Sequence, residues 1–255
     1  MKQGRNTKEE QTRRIKLLVG FLFTFRYATR TQLETFIQLI VNISHTHWLV
    51  DYSLKKGFVS VYYEPVLKTK IYYLGPKGKQ LISHEAMIEH YHFEKSYAGI
   101  NTFAHQNAVV EAFFMLKSHL NIQEWICEWA LRVGKERREK IPDGLLVFPD
   151  GTKAALEVET RYKKLDVLRY FVKRYHYDIT RISRYDCVLV ISASRLNYEG
   201  LKTRLYNIAP ELCASRFFLS DLGMLEQGMC LYQNKLIHLE DAFGLLRQNA
   251  GASHE

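Results

Sequence analysis

The sequence predicts a protein of the α+β / α/β class in two parts, a small helical unit with a β-hairpin and then a mixed sheet flanked by helices. Three observations carry this expectation. Charge is segregated: residues 1–86 hold 14 Lys/Arg against 6 Asp/Glu, a net +8, while the rest of the 255-residue chain holds 22 against 21, a net +1. Apolar residues recur at helical spacing in the first part, and two β-rich runs follow them. Beyond residue 101 the elements read αβββαβ with one strand apolar on both faces, the pattern of a strand buried inside a mixed sheet. The boundaries that follow are a basic unit at 1–86, a linker rich in His, Tyr and Glu at 87–101, and a second unit at 102–255.

Taken in order, the first dozen residues are polar and read as frayed. From Thr12 to Tyr27 the stripe Ile15, Leu18/Val19, Leu22 and Phe25 makes a first helix. Thr29 or Thr31 caps a second, turning Leu33, Phe36, Ile37 and Ile40 inward, and Ser44 caps a third, His45 to Lys56, which the Lys56-Gly57 step ends. On that third helix His45, Thr46, His47 and Lys55 face outward, and Trp48, Leu49 and Tyr52 face the core. Strand-like runs at Phe58–Tyr63 and Lys70–Leu74 flank a basic loop with Pro65, Lys68 and Lys70, and Gly75-Pro76-Lys77-Gly78 breaks into a helix toward Ile82. The second unit opens with a helix over Thr102–Leu120 and a strand-like run over Glu124–Arg132. After a charged loop, Gly134–Lys140, come strands at Pro142–Phe148 and Lys153–Thr160. A basic helix over Lys163–Ser183, a buried strand over Tyr185–Ala193 and a helix at Tyr198–Ile208 complete it.

Composition excludes several classes. The four cysteines are far apart, with no metal-ligand spacing and too few for a disulfide scaffold. No apolar stretch approaches the roughly 18 residues that span a bilayer, and the polar, charged N-terminus reads as no signal peptide, so a cytoplasmic location is expected. There is no Walker motif or GxGxxG, hence no nucleotide-driven motor. His90, His92 and His105 read as ordinary surface or core histidines. The basic balance points instead to a polyanionic partner met by the N-terminal part.

The segment "IPDGLLVFPDGTKAALEVET" holds the chemistry. Pro149-Asp150-Gly151 is a hairpin turn, and a three-residue loop there pairs Phe148 with Thr152. Continued outward, that register sets Asp143 opposite Glu157. Strand alternation puts Glu159 on the same face as Glu157. Clustered carboxylates repel unless something positive neutralises them. Mg²⁺ or Mn²⁺ suits such all-oxygen ligands and can activate water for phosphodiester cleavage; the alternative is neutralisation by nearby Arg161, Lys163 or Lys140. From Arg161 to Arg184, eight Lys/Arg stand against Asp166 and Asp178, interleaved with Tyr162, Tyr170, Tyr175 and Tyr177. Lys163, Arg169, Lys173 and Arg174 lie outside the apolar stripe, where cations and tyrosines can hold phosphates and unpaired bases.

Two resemblances follow. Three helices and a hairpin ending in "YYLGPKGKQLI" resemble the winged helix-turn-helix, which implies a third helix in the major groove (His45, His47, Lys55, Lys56) and a wing on the backbone (Lys68, Lys70). Pro142-Asp143 with "ExE" at Glu157 and Glu159, between a helix and a basic helix, resembles the PD-(D/E)XK nuclease core. That resemblance implies a restriction-endonuclease-like fold and metal at Asp143 and Glu157. Where the family has lysine, this chain has Glu159: it is a third ligand, or Lys163 or Lys164 compensates, or the site is inactive. Glu111 is the candidate for the acidic residue such cores add from their first helix.

The two together are similar to the replication-relaxation family of mobile elements and, within that neighbourhood, MobC-type relaxases. What this implies is a metal-dependent DNA endonuclease nicking one strand at a transfer origin. Its partners would be a double-stranded origin, locally melted or not, with accessory relaxosome or coupling proteins; Arg161, Lys173 and Arg174 would hold DNA beside the carboxylates. The alternative is a non-catalytic replication or transcription regulator on a degenerate nuclease core.

Overall fold

A computed structural model describes residues 8–43, 46–83, 85, 87–136 and 139–251 of the chain. It divides into two compact units, Met1–Asn107 and Ala108–Glu255.

The first unit runs α1 (Lys8–Phe25), β1 (Tyr27–Thr29), α2 (Arg30–Phe36), a π-helical turn (Ile37–Val41), α3 (Thr46–Lys56), β2 (Val59–Glu64), β3 (Thr69–Leu74) and α4 (Pro76–Leu81). Helix α1 begins at Lys8, earlier than the expected Thr12, with Glu9 and Glu10 in its positively polarised first turn. Its stripe of Ile15, Leu18, Leu22 and Phe25 is buried as the spacing predicts. The hairpin gains a third strand that the sequence did not announce. After Arg26, at φ 62°, Tyr27–Thr29 pairs antiparallel with β3, giving the order β1-β3-β2. Thr29 caps α2 in a capping box with Gln32, each side chain accepting from the other's backbone amide.

Two assignments of inward residues are corrected. The π-helical turn inserts a residue into the helical repeat, so Val41 turns inward while Leu39 and Ile40 are 56% and 39% exposed. On α3, Leu49, Val50 and Ser53 form the buried line. Trp48 is therefore rotated outward, 47% exposed and stacked on Tyr52 with ring centroids 5.2 Å apart. Helix α3 ends at Gly57, whose φ of +77° is the left-handed C-terminal stop the Lys-Gly step predicts. Ser44 and His45 lie outside the described residues.

The Gly-Pro-Lys-Gly segment does more than break the chain. A side chain at Gly78 would place its Cβ 2.3 Å from the Phe58 carbonyl oxygen, and at Gly75 2.5 Å from that of Gly57. The two glycines let α4 start against the backbone that follows α3. Residues 88–90 and 95–98 form 3₁₀ turns rather than open coil. Tyr91 anchors them: its hydroxyl donates to the Arg26 carbonyl at 2.8 Å and accepts from the Leu74 amide at 3.1 Å.

The second unit follows through α5 (Ile100–His119, within which the division between units falls), β4 (Glu124–Cys127), α6 (Glu128–Leu131), β5 (Gly144–Val147) and β6 (Lys153–Glu159). Then come α7 (Leu165–Thr180), β7 (Cys187–Ser192), α8 (Arg195–Ile208), α9 (Pro210–Arg216) and β8 (Phe217–Asp221). The unit ends with α10 (Leu222–Glu226), β9 (Met229–Tyr232), β10 (Lys235–His238) and α11 (Leu239–Gly251). The run Glu124–Arg132 is thus a short strand and a helical turn, not one strand. A seven-stranded mixed sheet results, ordered β10-β9-β8-β7-β6-β5-β4, with β6, β7 and β8 parallel and the outer pairings antiparallel. Every residue of β7 is buried, which parallel neighbours on both edges require. Leu168, Phe171, Val172 and Tyr175 of α7 pack with Ala155, Val188, Val190 and Phe217 in one core. Among the described residues no helix is long and apolar enough to cross a membrane.

Candidate active site

The site is built on the β5–β6 hairpin. Gly151, at φ +86°, lets the chain reverse in three residues, and the Phe148 amide donates to the Thr152 carbonyl at 2.9 Å. The ladder then runs in the predicted register, from Val147 opposite Lys153 to Gly144 opposite Leu156. It stops there, and Asp143 departs from the facing position expected for it. Its amide donates to the Leu156 carbonyl at 2.9 Å, and its carboxylate accepts from the Val158 amide at 2.7 Å. Asp143 is thereby folded onto the backbone of β6, between the two glutamates in sequence.

Glu157 and Glu159 sit on β6, 1% and 6% exposed. Each has a lysine. Lys140, in the segment leading to β5, lies 2.6 Å from one Glu157 oxygen and 2.8 Å from the other. The Tyr175 hydroxyl, from α7, donates to Glu157 as well. Lys163, in the loop from β6 to α7, donates to Glu159, and Arg204 holds that loop through the Lys163 carbonyl at 2.6 Å.

Electrostatics follow from burial. Desolvation, with a smaller push from Asp143, raises the Glu157 carboxyl to about 7 against the opposing pull of Lys140 and Lys163. Burial raises Glu159 likewise, with Lys163 opposing. Burial alone would pull Lys140 down, but the Glu157 and Asp143 charges outweigh it, so its ammonium is held above the usual lysine range. Tyr175 is driven far up by burial and by its carboxylate neighbour, so it stays a hydrogen-bond donor.

Three carboxylates are the hard-oxygen donors that Mg²⁺ or Mn²⁺ takes. As arranged, however, they do not converge on one point. Both Glu157 oxygens face Lys140, Glu159 faces Lys163, and Asp143 is bonded to a backbone amide. Among the described residues no group of three Asp, Glu, His or Cys is placed to hold an ion. In this arrangement the cluster fits two ammonium groups and does not fit a metal.

The remaining sequence candidates are scattered. Glu111 is exposed on α5, and Lys164 and Arg161 are exposed in the β6–α7 loop. Lys173 is exposed on α7. Arg174, expected to meet DNA, is spent internally: its Nε lies 3.2 Å from buried Asp178, and the guanidinium is 3.7 Å from Glu139. Arg184 reaches the same two acids, at 3.0 Å from Glu139 and 3.8 Å from Asp178. This four-membered network pins Glu139, and with it the adjacent Lys140, against α7. Lys140 carried a signal in the sequence, a cation one residue before "PD". Tyr175, grouped in the sequence with the tyrosines that could stack on bases, is instead 1% exposed and bonded to Glu157, and Asp178 and Arg184 carried no signal of their pairing.

In the first unit, His47 is exposed, and its Nδ1 lies 2.7 Å from Glu34. Arg30 links Glu34 to Asp51 at 2.7 and 2.9 Å, so α2 and α3 are riveted by one chain of charges. Lys55 and Lys56 are exposed in the last turn of α3, and Lys68 and Lys70 in the β2–β3 hairpin. His45 lies outside the described residues.

A basic helical unit with a three-stranded sheet and a mixed-sheet unit carrying a buried acidic cluster define an α+β protein of two units. The chain belongs to the replication-relaxation family, whose model it matches over residues 21–185. No curated protein matches it at a significant level.

Proposed function

We propose that the protein is a DNA-binding factor acting at a plasmid or mobile-element origin, with its first unit a winged helix-turn-helix. The observation that carries this reading is a set of exposed lysines on two elements, Lys55 and Lys56 in the last turn of α3 and Lys68 and Lys70 in the β2–β3 hairpin, none of which makes an ion pair among the described residues. Helix α3 enters the major groove and the hairpin is the wing that meets phosphates. Lys68, at φ 49°, tolerates asparagine, so the Lys68→Asn/Lys70→Gln pair tests the wing without straining it. Duplex affinity is expected to fall about tenfold at physiological salt, with the salt slope reduced by about 2, one released counterion per lysine. Titration of a labelled origin duplex at several salt concentrations reads both, and an unchanged slope would refute the wing.

A second reading, a metal-dependent nicking endonuclease, is supported by one observation. Two glutamates are buried on β6 with Asp143 bonded to the backbone between them, and Pro142-Asp143 with Glu157 matches the PD-(D/E)XK pattern. It requires Lys140 and Lys163 to release their carboxylates. Supercoiled plasmid carrying the origin should then be nicked with Mg²⁺ or Mn²⁺ by the wild type and not by Asp143→Ala. Intact plasmid with the wild type leaves the DNA-binding reading alone.

A further inference from the structure

Helix α7 buries Leu168, Phe171, Val172, Tyr175, Asp178 and Ile179. On its opposite face the Arg174 guanidinium lies 5.8 Å from the centroid of the Tyr177 ring. Tyr170 and Tyr177 are 56% and 49% exposed there. Seven residues apart, they fall on one side of the helix about 10 Å from each other along its axis. Around them stand Lys173, His176 and Arg181, none of which makes an ion pair among the described residues, and Arg169, held only by fully exposed Asp166 at 3.3 Å. The same face borders a cleft of about 620 Å³ between α7 and α9, whose rim adds Arg216 and whose floor is Val172 and Leu212.

We infer that this face of α7 binds single-stranded nucleic acid, with phosphates on Arg169, Lys173, His176 and Arg216 and unpaired bases stacked on Tyr170 and Tyr177. The inference rests on the DNA-binding reading and adds a second, separate site to it. Cations alone suit any polyanion. Exposed tyrosine rings between them select one whose flat apolar faces are accessible, which a duplex hides in its stack and a single strand offers. An acidic peptide would satisfy the cations but leave the rings unused.

The test is fluorescence anisotropy of the full chain with a labelled oligothymidylate of about a dozen nucleotides, within the site size of single-strand binders. An origin duplex is titrated in parallel. Tyr170→Ala/Tyr177→Ala is expected to weaken the oligonucleotide tenfold or more and leave duplex affinity unchanged. Tyr170→Phe/Tyr177→Phe keeps the rings and should bind as the wild type does. All four substitutions are at exposed positions, and matching thermal melts establish that the variants are folded. Duplex binding without oligonucleotide binding by the wild type overturns this inference and spares the DNA-binding reading, whereas absence of both removes the two together. Full affinity in the alanine pair, or an equal loss on the duplex, also overturns it, as does displacement of the oligonucleotide by polyglutamate at equal charge concentration.

Discussion

Replacing Lys140 by alanine is expected to cost about 3 kcal/mol of folding stability near pH 8 and far less near pH 5. Lys140 is the cation of a pair whose acid, Glu157, is almost wholly buried. Removing one partner of a buried pair leaves an uncompensated charge, which costs about 3–5 kcal/mol; Lys140 keeps some exposure, so the lower end applies. The pH dependence separates this from a loss of packing. With its folded pKa already at about 7, Glu157 is protonated near pH 5 and leaves no charge to strand. Denaturant melts at the two pH values check it. Adding Glu157→Gln to Lys140→Ala should return most of the loss near pH 8, because it removes the orphaned carboxylate itself. An equal loss at both pH values would place the effect in the lysine stem.

The wild-type protein is expected to lose roughly 3 kcal/mol relative to Glu157→Gln as pH rises from about 4.5 to about 7. A carboxyl whose folded pKa lies above its unfolded value binds more protons folded than unfolded. Its contribution is therefore fully present below 4.5 and is lost as pH passes through the folded pKa, at about 1.4 kcal/mol per unit. The difference between the two stability curves isolates Glu157 from other titrating groups. A flat difference would mean that Lys140 and Tyr175 compensate the burial completely. A rising one would mean that the pair stabilises the charged form beyond its cost.

The hairpin could be read from the sequence because its determinants are local. An Asp-Gly turn and two alternating apolar runs set the register, and Gly144 does face Leu156. What the register could not convey is that the ladder ends there and the Asp143 carboxylate takes the Val158 amide. Partners brought from afar were equally hidden. Arg174 reads as a free cation on a basic helix until Glu139 and Arg184 arrive from other segments. In the first unit the misreadings came from phase. A single π-helical turn displaces Ile40 outward, and the Leu49–Val50–Ser53 line carries Trp48 to the surface, where an aromatic residue had been read as core. The chain beyond residue 195 carried no recognisable motif, yet it supplies the three strands that complete the sheet.

Those strands set a limit on dissection. The family match ends at Tyr185, two residues before β7 begins. A fragment cut just after β7 would present the Cys187–Ser192 strand, apolar on both faces, as an open edge with its amides and carbonyls unpaired along the side that β8 covers in the whole protein. Such an edge is a template for another copy of itself. The strand that closes this edge, β8, is therefore supplied from beyond the residues that the family match covers.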